Sequence, residues 1–93
     1  QSYGLVQDVL KLEPLADKWK SFGFEVQEVD GHDTQALHDL TDKLPFNSKH
    51  PSLVICHTIK GKGFHFAENN PYWHHKNFFT EEEVIKINKC LER

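Results

Sequence analysis

Residues 53–63 read LVICHTIKGKG, a short apolar run that ends in a glycine-punctuated basic turn. The apolar part, residues 53–56, has the length and continuity of a strand that is covered on both faces. The turn combines two glycines, which permit tight bends, with two lysines, which add positive charge: Gly61, Gly63, Lys60 and Lys62. This order predicts a buried strand followed by a solvated turn, and the glycines and lysines of that turn would alternatively suit a diphosphate.

A second strand is predicted upstream at residues 24–29, where apolar and polar residues alternate. Between the two strands, Asp33 stands where it can cap a helix. The apolar stripe of that helix is Ala36, Leu37, Leu40 and Leu44. Two strands joined through a helix form a parallel βαβ unit with a right-handed crossover by default. The sequence therefore predicts an α/β architecture with parallel strands.

A helix is also predicted before the first strand. Pro14 suits its first turn and Gly23 its C-terminal stop. Four apolar residues fall at spacings of three and four on one face, and Trp19 among them is expected in the core: Leu12, Leu15, Trp19 and Phe22. Residues 1–11 are predicted to be irregular, with Gly4 as a turn residue.

The last predicted helix begins after Thr80, which forms a capping box with Glu83. Its buried face is expected to contain Val84, Ile87 and Leu91, at helical spacing. The predicted order is thus helix, strand, helix, strand, long loop and helix.

This set of elements is expected to be incomplete. Two strands make a poor independent sheet, because each leaves an unpaired edge. The 93 residues contain no methionine, whereas a natural chain normally begins with one. We therefore predict that residues 1–93 are the C-terminal part, roughly the last third, of a doubly wound parallel α/β domain.

Composition excludes several functional classes. The formal net charge is −3, so no basic surplus indicates a nucleic-acid partner. No apolar run is long enough to span a membrane, and no signal peptide is recognisable. The two cysteines, Cys56 and Cys90, do not make a disulfide framework and are expected to be reduced thiols in a cytoplasmic protein.

The histidine pair His74-His75 follows Trp73 and carries the candidate chemistry. An imidazole that titrates near neutral pH can exchange a proton with a substrate oxygen. The alternative for His74 is an ordinary surface histidine beside an aromatic residue. Glu68 precedes the turn sequence Asn69-Asn70-Pro71, so we expect it to shape the loop rather than to transfer protons.

A metal site is the rival interpretation of the histidines. It would combine His57, His65, His74 and His75, but their spacing matches no zinc pattern and no C-x-x-C motif accompanies them. His57 is expected to pack at the strand end instead. We therefore predict no metal ligands in this chain.

Several stretches together resemble one enzyme family. They are CHTIKGKG at 56–63, WHHK at 73–76, EPLADKW at 13–19 and VDGHD at 29–33. They are similar to the end of the N-terminal, thiamine-diphosphate-binding domain of transketolases, especially the form made as two separate subunits. The likeness covers nearly the whole chain.

The resemblance implies roles for two residues. Lys60 matches a lysine beside the cofactor in many transketolases. His74 matches a histidine that reaches the cofactor diphosphate and the sugar substrate and helps proton transfer at the substrate oxygen. The family has glycine after this histidine, whereas this chain has His75, a side chain that resists the backbone torsions glycine allows.

The resemblance also implies what the chain lacks. The family binds Mg²⁺ through an Asp in a Gly-Asp-Gly segment and a later Asn, which fall ahead of the position of Gln1. The glutamate that activates thiamine belongs to the other half of the enzyme. We therefore expect residues 1–93 alone to be inactive and to need two partners, the rest of their own domain and a pyrimidine-binding domain or subunit.

The implied reaction is transfer of a two-carbon ketol unit between sugar phosphates, with thiamine diphosphate and Mg²⁺ in the complete enzyme. Two alternatives remain open. One is a related thiamine enzyme such as deoxyxylulose-phosphate synthase. The other is a non-catalytic α/β remnant that acts as a protein-interaction module.

Overall fold

The computed structural model describes residues 4–92, which form two compact units. One unit contains residues 12–58, and the other contains residues 4–11 together with 59–92. The elements along the chain are the following: α1 (Val6–Val9), α2 (Leu15–Ser21), β1 (Glu25–Asp30), α3 (Thr34–Thr41), β2 (Ser52–His57), a 3₁₀ turn (Pro71–Trp73) and α4 (Glu81–Leu91).

The two strands pair in parallel, as the βαβ pattern predicts. The register runs from Glu25 opposite Ser52 to Asp30 opposite His57. The molecule is therefore a mixed α/β structure with a small parallel sheet, in which α2 and α3 both contact β1.

The predicted ends of α2 are confirmed, but its apolar face is not. Pro14 lies at the N-cap, one residue before the predicted first turn, and Gly23 follows the C-cap with a φ of +95°. Leu12 lies before the helix and is 45% exposed, so it does not join the face. Trp19 is 36% exposed and is not a core residue. Its ring packs edge-to-face with that of Phe24, with the ring centroids 5.1 Å apart.

The cap of α3 is confirmed, because the Asp33 carboxylate accepts a hydrogen bond from the Ala36 N–H at 3.0 Å. The prediction for Leu44 is wrong. The helix ends at Thr41, and Leu44 is exposed in the turn that follows.

In the second unit, the prediction of an irregular segment at 1–11 is wrong for Val6–Val9, which form one helical turn. Backbone hydrogen bonds close this turn, and Leu5 at its N-cap offers no side-chain oxygen. A single turn without a polar cap leaves no sequence signal. Residues 1–3 of the predicted segment lie outside the described residues.

Helix α4 starts with the predicted capping box. The Thr80 hydroxyl accepts from the Glu83 N–H at 3.2 Å, and the Glu83 carboxylate accepts from the Thr80 N–H at 2.9 Å. Its predicted buried face is wrong in two of three positions, since Val84 and Leu91 are exposed and only Ile87 is half-buried.

Burial is low throughout the described chain. Ala67, at 8% exposure, is the one fully buried apolar residue within 4–92. In β2 the residues from Ser52 to Ile55 are half-buried and Cys56 is exposed. The expectation of a strand covered on both faces is therefore not met within 12–58, since no residue of β2 is fully buried there. None of the helices described in residues 4–92 is both long and apolar enough to cross a membrane.

Candidate functional site

The loop after β2 contains the predicted tight turn. Gly61 and Gly63 have φ values of +79° and +100°, a backbone conformation that favours glycine. A Cβ on Gly61 would stand 2.6 Å from the Ala67 carbonyl oxygen, so the glycine allows two parts of the loop to touch. The Lys60 carbonyl accepts a hydrogen bond from the Asn69 N–H at 2.9 Å and closes the loop.

Glu68 shapes this loop, as its sequence context predicts. Its carboxylate accepts a hydrogen bond from the Gly63 N–H at 3.3 Å. Asn70 then starts the 3₁₀ turn, because its side-chain oxygen accepts from the Tyr72 N–H at 3.1 Å. Its amide nitrogen donates to the Phe66 carbonyl at 3.2 Å, which joins the two halves of the loop.

Aromatic packing fixes the residue that precedes His74. The Trp73 ring stacks on Phe79 with centroids 5.9 Å apart and meets Phe66 at 5.1 Å. These rings border an apolar cavity of about 310 Å³. Phe66 and Trp73 are half-buried, so the ring cluster gives the loop a local core.

His74 is half-buried, and its environment favours the neutral imidazole. Its backbone N–H donates to the Pro71 carbonyl at 3.0 Å, which places the residue at the end of the 3₁₀ turn. Burial of the ring, followed by the positive charges of Lys60 and His75, lowers the pKa of His74 below the ordinary histidine value of 6.5. Its Nδ1 atom is buried and has no hydrogen-bond partner among the described residues. Buried polar atoms are nearly always paired, so this atom fits a ligand group or a further part of the protein.

Lys60 is exposed and borders a small cavity of about 130 Å³, which is also lined by Gly61, Ala67, Asn70 and Trp73. Its charge acts on His74 across the same loop. The structure therefore brings the two predicted site residues into one local environment. Their roles at a cofactor stay predictions.

His75 has a left-handed backbone conformation. Its φ is +58°, in the left-handed region that glycine adopts readily and histidine rarely. Its exposed ring meets the His74 ring at a centroid distance of 4.3 Å. The backbone at His75 thus adopts a conformation that glycine would hold more easily, and the His75 imidazole lies beside that of His74.

Lys76, the residue after the two histidines, forms an ion pair that the sequence does not predict. The Lys76 ammonium lies 2.9 Å from the Glu83 carboxylate, and the two side chains are only 12% and 14% exposed. Hydrogen bonding between them raises the pKa of Lys76 and lowers the pKa of Glu83. The ammonium also lies over the rings of Tyr72 and Trp73, 3.9 and 4.8 Å from their centroids. No local pattern predicts this contact, because Lys76 stands in a loop and Glu83 already has a capping role.

Two other histidines, His57 and His65, contact side chains elsewhere in the protein. His57 does not simply pack at the strand end; it is exposed and bonds Glu28 on the neighbouring strand at 2.8 Å. His65 contacts the Cys90 thiol at 3.8 Å. Within residues 4–92, no three His, Cys, Asp or Glu side chains are grouped closely enough to hold a metal ion. Cys56 and Cys90 are both free thiols.

Comparison with known proteins identifies the family to which the sequence motifs point. Residues 4–91 match the family described as transketolase, thiamine diphosphate binding domain. The chain is 42% identical over 76 residues to one subunit of the apulose-4-phosphate transketolase of Actinobacillus succinogenes, covering 82% of this chain and 27% of that protein. It is 39% identical over 83 residues to the 6-deoxy-6-sulfo-D-fructose transketolase subunit SqwG of a Clostridium species, covering 89% and 30%.

A third relative, the corresponding apulose-4-phosphate transketolase subunit of Phocaeicola vulgatus, is 35% identical over 93 residues, which is 100% of this chain and 33% of that protein. The chain thus spans about a third of the length of these curated relatives. A family match over nearly all of its residues, together with this identity, shows that the chain belongs to the transketolase thiamine-diphosphate-binding domain family.

Proposed function

We propose that this chain is the C-terminal part of the diphosphate-binding domain of a transketolase-like enzyme that moves a two-carbon ketol unit between sugar phosphates. In this proposal residues 1–93 contribute to a larger, doubly wound parallel domain and do not act alone. The relatives named above are single subunits of transketolases, which supports the presence of a second, pyrimidine-binding partner.

The observation that carries the proposal is the environment of His74. Its buried Nδ1 has no partner among the described residues, and the Lys60 charge reaches it across a glycine-rich loop. An unpaired nitrogen beside a cation suits the oxygens of a diphosphate or a sugar. The residues present therefore fit a bound thiamine diphosphate at this loop.

Thiamine diphosphate, when bound, supplies the carbon nucleophile and the electron sink that this reaction requires. Lys60 contributes positive charge toward the diphosphate, and the turn at Gly61 and Gly63 lets the backbone approach it. The Mg²⁺ that accompanies the diphosphate needs hard oxygen ligands, and we assign those to other parts of the enzyme.

His74 is proposed to handle the proton at the reacting sugar oxygen. The carbonyl oxygen of the sugar gains negative charge as the carbon–carbon bond forms, and a nearby imidazole can exchange a proton with it. A lowered pKa keeps His74 mostly neutral at pH 7, so its ring can both accept and return a proton during one cycle. The half-buried position limits access of water to this exchange.

The test compares His74→Ala with His75→Ala in the full-length protein bound to its partner subunit. His74→Ala should lower turnover by roughly two to four powers of ten, the usual range for a positioned proton-transfer group. His75→Ala should have a much smaller effect, because its ring is exposed. If His75 proves essential and His74 dispensable, the assignment is wrong by one position.

Lys60→Ala provides a separate measurement on the cofactor. It should weaken binding of thiamine diphosphate, and the affinity should then depend less steeply on salt, because one phosphate-directed cation is gone. Unchanged affinity together with an unchanged salt dependence would assign Lys60 to the solvated turn instead.

A further inference from the structure

The segment that carries His74 and His75 is held at both ends by one cation. The Lys76 ammonium lies over the rings of Tyr72 and Trp73, which precede the two histidines in the chain. Lys76 follows the histidines directly. Lys76 therefore follows the two histidines in the chain, while its ammonium group contacts the residues that precede them.

The same cation ties this turn to a helix. Lys76 pairs with one oxygen of Glu83, while the other oxygen of that carboxylate accepts a hydrogen bond from the Thr80 N–H at 2.9 Å. Glu83 therefore joins the first turn of α4 to the histidine segment. We call the set Tyr72, Trp73, Lys76 and Glu83 the Lys76 clamp.

The burial of the clamp indicates an internal role for Lys76. Its side chain is 12% exposed, and its ammonium is already satisfied by a carboxylate and two aromatic faces. A lysine that binds substrate would instead have its ammonium available to solvent, as Lys60 does. Cation–π contacts strengthen when they are shielded from water, and an ion pair of this burial is lost only at a cost.

The turn needs such support, because it contains an unfavourable backbone conformation. His75 has a φ of +58°, which a histidine does not hold without help from its surroundings. The clamp brackets this residue on both sides. We propose that Lys76 is a positioning residue, which holds the turn closed through Glu83 and so fixes the place of the His74 ring. This inference rests on the role proposed above for His74.

The experiment compares Lys76→Met with Lys76→Arg in the full-length protein bound to its partner subunit. Methionine keeps the unbranched stem but removes the cation, whereas arginine keeps the ion pair and the ring contacts. Two quantities are measured: turnover, and the pH titration of the His74 ring by NMR with ¹³C-labelled histidine. The His74 signal is assigned by its absence in His74→Gln.

Lys76→Met should move the His74 titration midpoint up toward the ordinary value and lower kcat on the order of tenfold to a hundredfold, as expected for a slightly misplaced group. Lys76→Arg should restore both. Lys60 and His75 supply the charges that lower the pKa of His74, after burial. A change after Lys76→Met is therefore expected to act through the position of the ring.

Lys86→Met is the matched control, since it removes an exposed lysine of α4 outside the clamp. If Lys76→Met gives the same His74 titration and kcat as Lys86→Met, the positioning role is overturned. Should Lys76→Met fail to fold, Glu83→Gln takes its place. Its side-chain oxygen can keep the Thr80 bond, but its amide group turns a donor toward the ammonium, so the same two changes are expected and wild-type values overturn the proposal.

The two readouts separate this inference from the proposed function. A shifted His74 titration in Lys76→Met, with full turnover in His74→Ala, would leave the clamp standing and remove the catalytic role of His74. A large loss of turnover in His74→Ala, with an unchanged His74 titration in Lys76→Met, would keep the catalytic role of His74 and remove the positioning role of Lys76.

Discussion

His75 adopts a left-handed backbone conformation that a residue with a Cβ disfavours. Its left-handed backbone costs of order 1–3 kcal/mol for a residue with a Cβ. The structure keeps this conformation and places the His75 ring 4.3 Å from His74. The charge of His75 then adds to that of Lys60 in lowering the pKa of His74, after burial of the ring. The His75 side chain thus adds a charge beside His74 at a position whose backbone conformation favours glycine.

The lowered pKa of His74 predicts a pH dependence of stability. In the unfolded chain His74 has its ordinary pKa, so between the lowered value and 6.5 the unfolded state binds the proton more readily than the folded state. Stability therefore rises with pH through this window and is lost as the pH falls below 6.5. Removal of the titrating group by His74→Gln should reduce this loss.

The measurement is the thermal midpoint of the protein between pH 5 and 8, with wild type and His74→Gln compared in the same buffers. The two curves should diverge below pH 6.5 and run parallel above it, where His74 is neutral in both states. Curves that stay parallel over the whole range would contradict a lowered pKa at His74.

At the scale of the elements, helix α4 combines a local cap with a distant ion pair. Thr80→Ala should remove the bond that the hydroxyl accepts from the Glu83 N–H, but leave the Glu83 carboxylate free to bond the Thr80 N–H and Lys76. The expected cost is about 1 kcal/mol, or roughly a fivefold loss of protection for the first amides of α4. Thr80→Ser keeps the hydroxyl and should behave as wild type.

Hydrogen exchange of these amides is the appropriate measurement, because it reports local opening of the helix rather than unfolding of the whole protein. Equal exchange rates in the alanine and serine variants would mean that the Thr80 hydroxyl does not stabilise the helix start. The pair of variants therefore isolates the cap from the Lys76 clamp.

The elements that the sequence predicts well are those whose signals are local. The capping box at Thr80 and Glu83 and the cap at Asp33 each depend on residues three positions apart, and both are present. The Lys76–Glu83 pair is missed because it joins a loop to a helix and has no fixed spacing. Predicted buried faces fail at Trp19, Val84 and Leu91 for a related reason, since helical periodicity shows which face is apolar but not what lies against it.

The site residues divide in the same way. Lys60 and His74 are predicted through a family resemblance, and the positive φ at Gly61 and Gly63 through turn chemistry. Asn70 and Trp73, which border the Lys60 cavity, are not assigned to it by the sequence, because contacts across a loop have no periodic signal. The unpaired Nδ1 of His74 appears only when side chains are placed in three dimensions.

At the scale of the whole molecule, the described residues leave many large apolar side chains exposed. Twelve large apolar residues of the described chain are 36–78% exposed, among them Phe22, Tyr72 and Phe78. Parallel sheets are normally covered on both faces, whereas no residue of β1 or β2 is fully buried here. These surfaces suit contacts with further parts of the same domain and with a partner subunit, as the proposed function requires.

This exposure predicts the behaviour of residues 1–93 produced alone. Because so little apolar area is removed from water, the gain from burial should hardly exceed the loss of conformational entropy. The isolated chain should therefore unfold over a broad range of denaturant with a small m-value, and should associate with itself or bind a hydrophobic dye.

Circular dichroism during a urea titration measures the unfolding transition, and sedimentation velocity measures the self-association. The longer enzyme that the proposed function requires is the control and should give a steep transition in the same buffer. A monomeric 1–93 with an equally steep, two-state transition would show that these residues form a domain by themselves, and the proposal that they are part of a larger sheet would then be wrong.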